Sequence, residues 1–233
     1  YGTGCFALTN TGTDIIESDN GLLTTLAYQI EGEDPLYALE GSVPIAGAAV
    51  QWLRDNLNII KSSDEIESLA MGEKDNGDVY FVPAFSGLFS PHWDETARGA
   101  LFGLTRFSNK SHIARSVLES VAFQSFELLQ SMEKDLDIKF QNLKVDGGMV
   151  SNNLLMQFQS DILNKTIISQ DINEITALGA GVASFIFAEN LSIENVGDFI
   201  STSKTWNPNM SNDSRENLIA SWFKAIKKSK HWL

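Results

Sequence analysis

The chain is poor in the residues on which several protein classes depend. A single cysteine, Cys5, among 233 residues excludes an intramolecular disulfide framework and fits a reducing compartment. The three histidines, His92, His112 and His231, show no metal-ligand spacing with Cys5 or with one another, which argues against a zinc site. Positive charge is scarce: 17 Lys and Arg stand against 30 Asp and Glu, a net charge of −13. A nucleic-acid binder needs a clustered positive face to neutralise phosphates. The one basic cluster, Lys224, Lys227, Lys228 and Lys230, reads as the solvated face of a C-terminal helix. No apolar run approaches the roughly 18 to 20 residues of a membrane span, and no charged segment followed by an apolar signal core opens the chain. The expectation is a cytoplasmic protein that partners neither nucleic acid nor membrane.

What is present fits an ordinary globular protein. Hydrophobic residues make up 43%, charged residues 20% and aromatics 10%, enough to bury a sizeable core. Tyr1 stands where an initiator Met would be and leads directly through Gly2-Thr3-Gly4 into an apolar strand, so the sequence reads as a fragment.

Alternation and turn residues predict strands over Cys5–Thr9, Leu22–Gln29 and Leu36–Val43, joined as hairpins. From Pro44 the period changes. Ile45, Ala49, Trp52, Leu53, Leu57 and Ile60 recur at helical spacing. A short helix follows over Glu65–Ala70, then a strand at Val79–Ala84. A Gly-, Pro- and aromatic-rich loop from Ser86, of a length that is usually ordered and functional, leads into a strand at Ala100–Leu104. Beyond it come a long helix over 111–134, a strand at Leu143–Val145, a helix over 152–163, a strand at 165–169, a helix over 175–189 and a last helix over 214–228. Strand and helix alternate over 143–189, which implies a crossover and a parallel sheet. The fold class is therefore α/β in one domain, with an antiparallel start and a parallel finish. The stretch 195–213 carries little sustained periodicity and reads as a surface connection.

Val145-Asp146-Gly147-Gly148-Met149-Val150-Ser151-Asn152 is the clearest chemical signal. Paired glycines between a buried strand and a helix permit close backbone approach, and the helix N-terminus beyond offers N–H groups to an anion. A nucleotide site is one reading. A tight turn capped by Ser151 or Asn152 is the other. The pattern is neither a Walker loop nor a dinucleotide fingerprint. The small residues Ala46-Gly47-Ala48-Ala49 and Ala177-Leu178-Gly179-Ala180-Gly181 require something to approach those helices closely, whether a neighbouring helix or a ligand. Tyr1-Gly2-Thr3-Gly4 either presents the Thr3 hydroxyl and backbone amides or is simply a turn. Asp94, Glu95 and Arg98 read as a structural ion pair rather than an acid–base group.

Taken together and in order, these motifs resemble the glycerol kinases of the FGGY carbohydrate kinase family. The resemblance is carried by Tyr1-Gly2-Thr3-Gly4-Cys5-Phe6, Asn20-Gly21-Leu22-Leu23-Thr24-Thr25, Tyr37 to Gly41, Gly47 to Asp55 and Phe81 to Arg106. Val145 to Gly148, Met156 to Leu163 and Thr176 to Ala180 carry it further, so that it spans about residues 1–230. It implies the C-terminal, nucleotide-binding half of the enzyme, with an actin-like ATPase (ribonuclease H-like) fold built on a mixed sheet with helices on both faces. It also implies ATP with Mg²⁺ as cofactors, glycerol as substrate, and a missing N-terminal half as partner in a full-length homo-oligomer. By resemblance, Thr3 and Gly47 lie near the phosphates, Gln51 follows on the same helix, Gly148 and Asn152 meet the adenosine part, and Phe6 packs on the glycerol carbons. The general-base aspartate lies upstream of Tyr1 in the family pattern, so the resemblance assigns no catalytic residue and no metal ligand within the chain, and the isolated piece is expected to be inactive. One departure stands out. Ser90-Pro91-His92-Trp93 has His where glycerol kinases usually have Tyr, a spelling closer to pentulose kinases, yet the Gly-Glu-Arg run of those enzymes is replaced by Gly87-Leu88-Phe89. A pentulose or other polyol kinase, and a non-catalytic actin-like module, remain the alternatives.

Overall fold

The computed structural model describes residues 1–172, 174–189, 197 and 201–233. Its spine is the 27-residue helix α3 (Lys110–Leu136), on which the first two sheets and three other helices converge. The helix starts where Asn109 accepts from the Ser111 and His112 amides while His112 accepts from the Asn109 amide, a reciprocal cap of a kind that contributes about 1 kcal/mol. It stops at Asp137, which turns left-handed at φ 50°.

Before it lie strands β1 (Cys5–Gly12), β2 (Leu23–Tyr28) and β3 (Leu36–Val43), helices α1 (Gly47–Asp55) and α2 (Glu65–Ala70), and strands β4 (Tyr80–Val82) and β5 (Ala100–Phe102). After it come β6 (Asn142–Val145), a 3₁₀ turn (Gly148–Ser151), α4 (Asn153–Leu163), β7 (Thr166–Gln170), α5 (Ile175–Glu189), β8 (Thr202–Trp206) and α6 (Asn212–Ser229). The α/β class holds, with the strands shared among three small sheets.

The first sheet has the order β1-β3-β2, both pairs antiparallel. Only β2 and β3 form a hairpin; β1 pairs with β3 rather than with its sequence neighbour, so the expected run of hairpins is corrected. The second sheet pairs β4 with β5, and β4 lies between α3 and α6. The third is mixed: β6 and β7 run parallel with α4 as their crossover, and β8 adds antiparallel to β7. That last strand corrects the reading of 195–213 as a connection. Its residues 195, 196 and 198–200 lie outside the described residues.

The core gathers along α3 and α4. Phe123 on α3 stacks on Trp222 of α6, centroids 5.0 Å apart and planes at 8°, and meets Phe158 of α4 edge-on at 5.4 Å. Complete burial of rings this size is worth roughly 1.5–3 kcal/mol each, which ties α6 to the body. Helix α1 ends sooner than its apolar spacing predicts. The chain turns left-handed at Asn58, φ 52°, so Ile60 reaches the core from a loop.

A candidate nucleotide cleft

Two glycine-rich segments 145 residues apart in the sequence are bonded to each other. The Tyr1 nitrogen donates to the Asp146 carbonyl at 3.0 Å, and the Tyr1 carbonyl accepts from the Met149 amide at 3.2 Å. The Tyr1 hydroxyl bridges α3 and α4 through Ser125 (3.2 Å) and Gln159 (3.0 Å), and burial pushes its pKa well above the ordinary 10. The turn then meets the start of α1. The Gly2 carbonyl accepts from the Gly47 amide at 2.9 Å, and the Thr3 carbonyl accepts from the Ala46 and Ala48 amides, each at 3.0 Å. A Cβ on Gly47 would lie 2.6 Å from the Gly2 oxygen, so glycine there is a packing requirement. With its backbone held on both sides, Thr3 exposes a hydroxyl that makes no hydrogen bond among the described residues.

Between these segments opens a cleft of about 430 Å³, and all five residues nominated as nucleotide contacts line it: Thr3, Gly47, Gln51, Gly148 and Asn152. Gly148 faces open space. A Cβ there would meet nothing within 4 Å, and its φ is not among the positive ones. The strained glycine is its neighbour Gly147, at φ +93° with a hypothetical Cβ 2.5 Å from the Tyr1 oxygen.

One wall has no local signature in the sequence. Ser63, Asp64, Ile66 and Glu67, from α2 and the residues before it, complete the cleft. Glu67 Oε1 accepts from the Leu154 amide at 2.9 Å, while Asn152 Oδ1 accepts from the Leu155 amide at 2.8 Å. These bonds occupy the second and third amides of α4, Leu154 and Leu155, which narrows the expectation that this helix end offers its amides to an anion. Among the lining residues are the acids Asp64 and Glu67 but no Lys or Arg. An anion here would meet hydroxyls, backbone dipoles and whatever cation travels with it.

Phe6 stands apart from the cleft. It projects from β1 with 65% of its surface exposed.

Other residues singled out in the sequence prove structural. His92 Nε2 lies 2.7 Å from Glu127 Oε1 and its Nδ1 3.1 Å from Lys230 Nζ, a bridge between the aromatic loop, α3 and the C-terminal segment. Trp93 Nε1 donates to the Gly21 carbonyl at 2.8 Å, docking that loop on the first sheet. Asp94 accepts from the Thr96 hydroxyl and from the Thr96, Ala97 and His231 amides, and the Thr96 hydroxyl, with the His231 and Thr96 amides, holds its pKa down at about 2. Arg98 donates to the Glu95 and Ala97 carbonyls, so the expected ion pair with Asp94 or Glu95 is replaced by backbone bonds. Close packing at Gly179 and Gly181 is also corrected: among the described residues a Cβ on either would meet nothing within 4 Å.

Known proteins resemble this chain in sequence and in fold. Residues 1–187 match the model of the FGGY family of carbohydrate kinases, C-terminal domain. A glycerol kinase of Methylobacterium radiotolerans is 52% identical over 233 residues, all of this chain and 46% of that protein, and one of Brucella anthropi is 51% identical over 234 residues, 47% of its length. The chain thus spans about half the length of the curated relatives it matches. Among solved structures, Plasmodium falciparum glycerol kinase with ADP superposes with a TM-score of 0.89 at 36% identity, over 98% of this chain and 46% of that one. A ligand-bound xylulose kinase from Lactobacillus acidophilus, TM-score 0.83 at 21% identity over 97% of this chain and 46% of that one, shares the fold. The fold is that of the actin-like sugar kinases, and the chain belongs to the FGGY family of carbohydrate kinases.

Proposed function

We propose that residues 1–233 form the ATP-binding half of a glycerol kinase, which transfers the γ-phosphoryl group of ATP to a terminal hydroxyl of glycerol. The observation that carries this reading is the convergence of Thr3, Gly47, Gln51, Gly148 and Asn152 on one cleft from three separate stretches of chain. Identity near 50% to glycerol kinases over the full chain supports the choice of acceptor.

In this reading Thr3 and the backbone around Gly47 receive the phosphates, and Gly148 and Asn152 receive the adenosine. Phosphoryl transfer depends on positioning and charge neutralisation. The cleft contributes acids rather than bases, so the charge of ATP is met by an accompanying Mg²⁺, which takes phosphate oxygens, water and few carboxylates. Residues outside this chain hold most of that coordination, and the general base lies upstream of Tyr1. Phe6 offers an apolar surface to the glycerol carbons, against the N-terminal half that completes the site. The intact enzyme is cytoplasmic and homo-oligomeric.

The test is turnover by the intact protein with ATP, Mg²⁺ and a panel of polyols. Glycerol 3-phosphate should be the principal product, and residues 1–233 alone should form none. Preference for a pentulose, or no turnover with any acceptor, overturns the reading.

A further inference from the structure

A second cavity lies where the end of α3, the α4–β7 turn and α6 meet. Its volume is about 470 Å³, within the range of roughly 300–1,000 Å³ typical of small-molecule pockets. Phe126, Leu163 and Ile219 give it an apolar wall. Its charged lining is Lys139, Lys165 and Arg215 with Glu133 as the one acid, an excess of two positive charges in a strongly acidic chain.

Glu133 is shared. Its Oε1 lies 2.6 Å from Lys165 Nζ and its Oε2 2.9 Å from Lys139 Nζ, and it also accepts from the Phe140 amide at 3.0 Å. Lys165 donates further to the Phe140 carbonyl at 2.7 Å, with its side chain only 12% exposed. Arg215 has less. One terminal nitrogen makes a long 3.4 Å contact to the Ile162 carbonyl at the end of α4, and its Nε is buried without a hydrogen-bond partner among the described residues. Helix capping explains the first contact. It leaves the second nitrogen desolvated with no acceptor, a state that native proteins rarely tolerate.

We propose that this cavity binds a phosphate monoester, with the phosphoryl group between Arg215, Lys165 and Lys139 and the carbon portion on Phe126, Leu163 and Ile219. A dianion cancels the excess of two charges, where a carboxylate would cancel one. The guanidinium fork matches phosphate oxygens and gives the orphan Nε its acceptor. The apolar wall selects an ester over the free ion.

Calorimetry on the intact protein without nucleotide tests this, with phenyl phosphate and inorganic phosphate as probes. Phenyl phosphate should bind one to one and severalfold more tightly than inorganic phosphate. Arg215→Gln should weaken it about tenfold or more, the loss of one charge-assisted contact. Gly148→Val, which obstructs the other cleft, should leave it unchanged. Should Arg215→Gln fail to fold, Lys139→Gln decides, since that side chain is 78% exposed; it should weaken binding severalfold and flatten the salt dependence. No binding at millimolar probe, unchanged affinity in the folded variants, equal affinity for both probes, or loss of binding in Gly148→Val each overturns the proposal.

Discussion

Gly147 and Tyr1 are in backbone contact, so that a Cβ on Gly147 would sit 2.5 Å from the Tyr1 carbonyl oxygen. The contact joins the opening turn to the loop after β6. It separates the roles of two adjacent glycines, one confined by the fold and the other bordering a cleft.

Substitution should therefore give opposite results at the two positions. Gly147→Ala meets both the collision and a left-handed φ, and should cost at least about 2 kcal/mol of stability. Gly148→Val should keep a near-normal melting temperature while nucleotide affinity falls on the order of tenfold or more. Thermal melts beside nucleotide calorimetry check both. A folded Gly148→Val protein with unchanged ATP affinity would remove Gly148 from the site.

How far the cleft was legible follows from the range of each signal. The Tyr1-Gly2-Thr3-Gly4 and Gly147-Gly148 segments are short motifs with their own turn chemistry, which left a ligand contact and a plain turn as equal readings of each. Glu67 could not be found that way. Helix α2 was readable over Glu65–Ala70, but nothing local shows that its Glu67 carboxylate meets an amide 87 residues away. Strand β8 escaped because Thr202-Ser203-Lys204-Thr205 are all exposed and only Trp206 is buried, so no alternation marks it. Ile60 misled the reading of α1, since a residue that reaches the core from a loop can fall on the helical period by chance.

Glu119 should give stability a measurable pH dependence. It is buried on α3, and desolvation raises its pKa from 4.5 to about 7, against the opposing pull of Arg115 at 2.9 Å and Asn76 at 2.9 Å. The folded state therefore holds a proton that the unfolded chain releases, and stability falls as pH rises through the window from about 4.5 to 7. Glu119→Gln abolishes this contribution. Denaturant unfolding across that window should show the variant gaining on the parent by about 1 kcal/mol per pH unit. A pH-independent difference would mean the carboxyl titrates normally.

Phe6 should matter for the acceptor and little for folding. With 65% of its surface exposed, truncation removes little buried area from this chain. Phe6→Ala in the intact protein should raise the KM for glycerol several-fold, about 1 kcal/mol of lost apolar contact, and leave the KM for ATP unchanged. Unaltered glycerol kinetics would place the acceptor elsewhere.

Thr3 distinguishes a phosphate contact from a turn residue. It lines the cleft, its carbonyl is fixed by Ala46 and Ala48 and its hydroxyl makes no hydrogen bond among the described residues, so Thr3→Val preserves shape and backbone bonds while deleting one donor. A transferring phosphoryl group carries charge on its equatorial oxygens, and a donor held toward it acts more on the transition state than on bound ATP. By analogy with oxyanion-hole donors the loss should be roughly 2 to 4 kcal/mol of barrier, on the order of 30- to 1,000-fold in kcat. The KM for ATP should change modestly and the melting temperature hardly at all, since no intramolecular bond is lost. A turn role predicts the reverse, a lower melting temperature with normal turnover per folded molecule. Measuring kcat on the folded fraction beside a melt decides, and normal kcat would retire Thr3 from phosphoryl transfer.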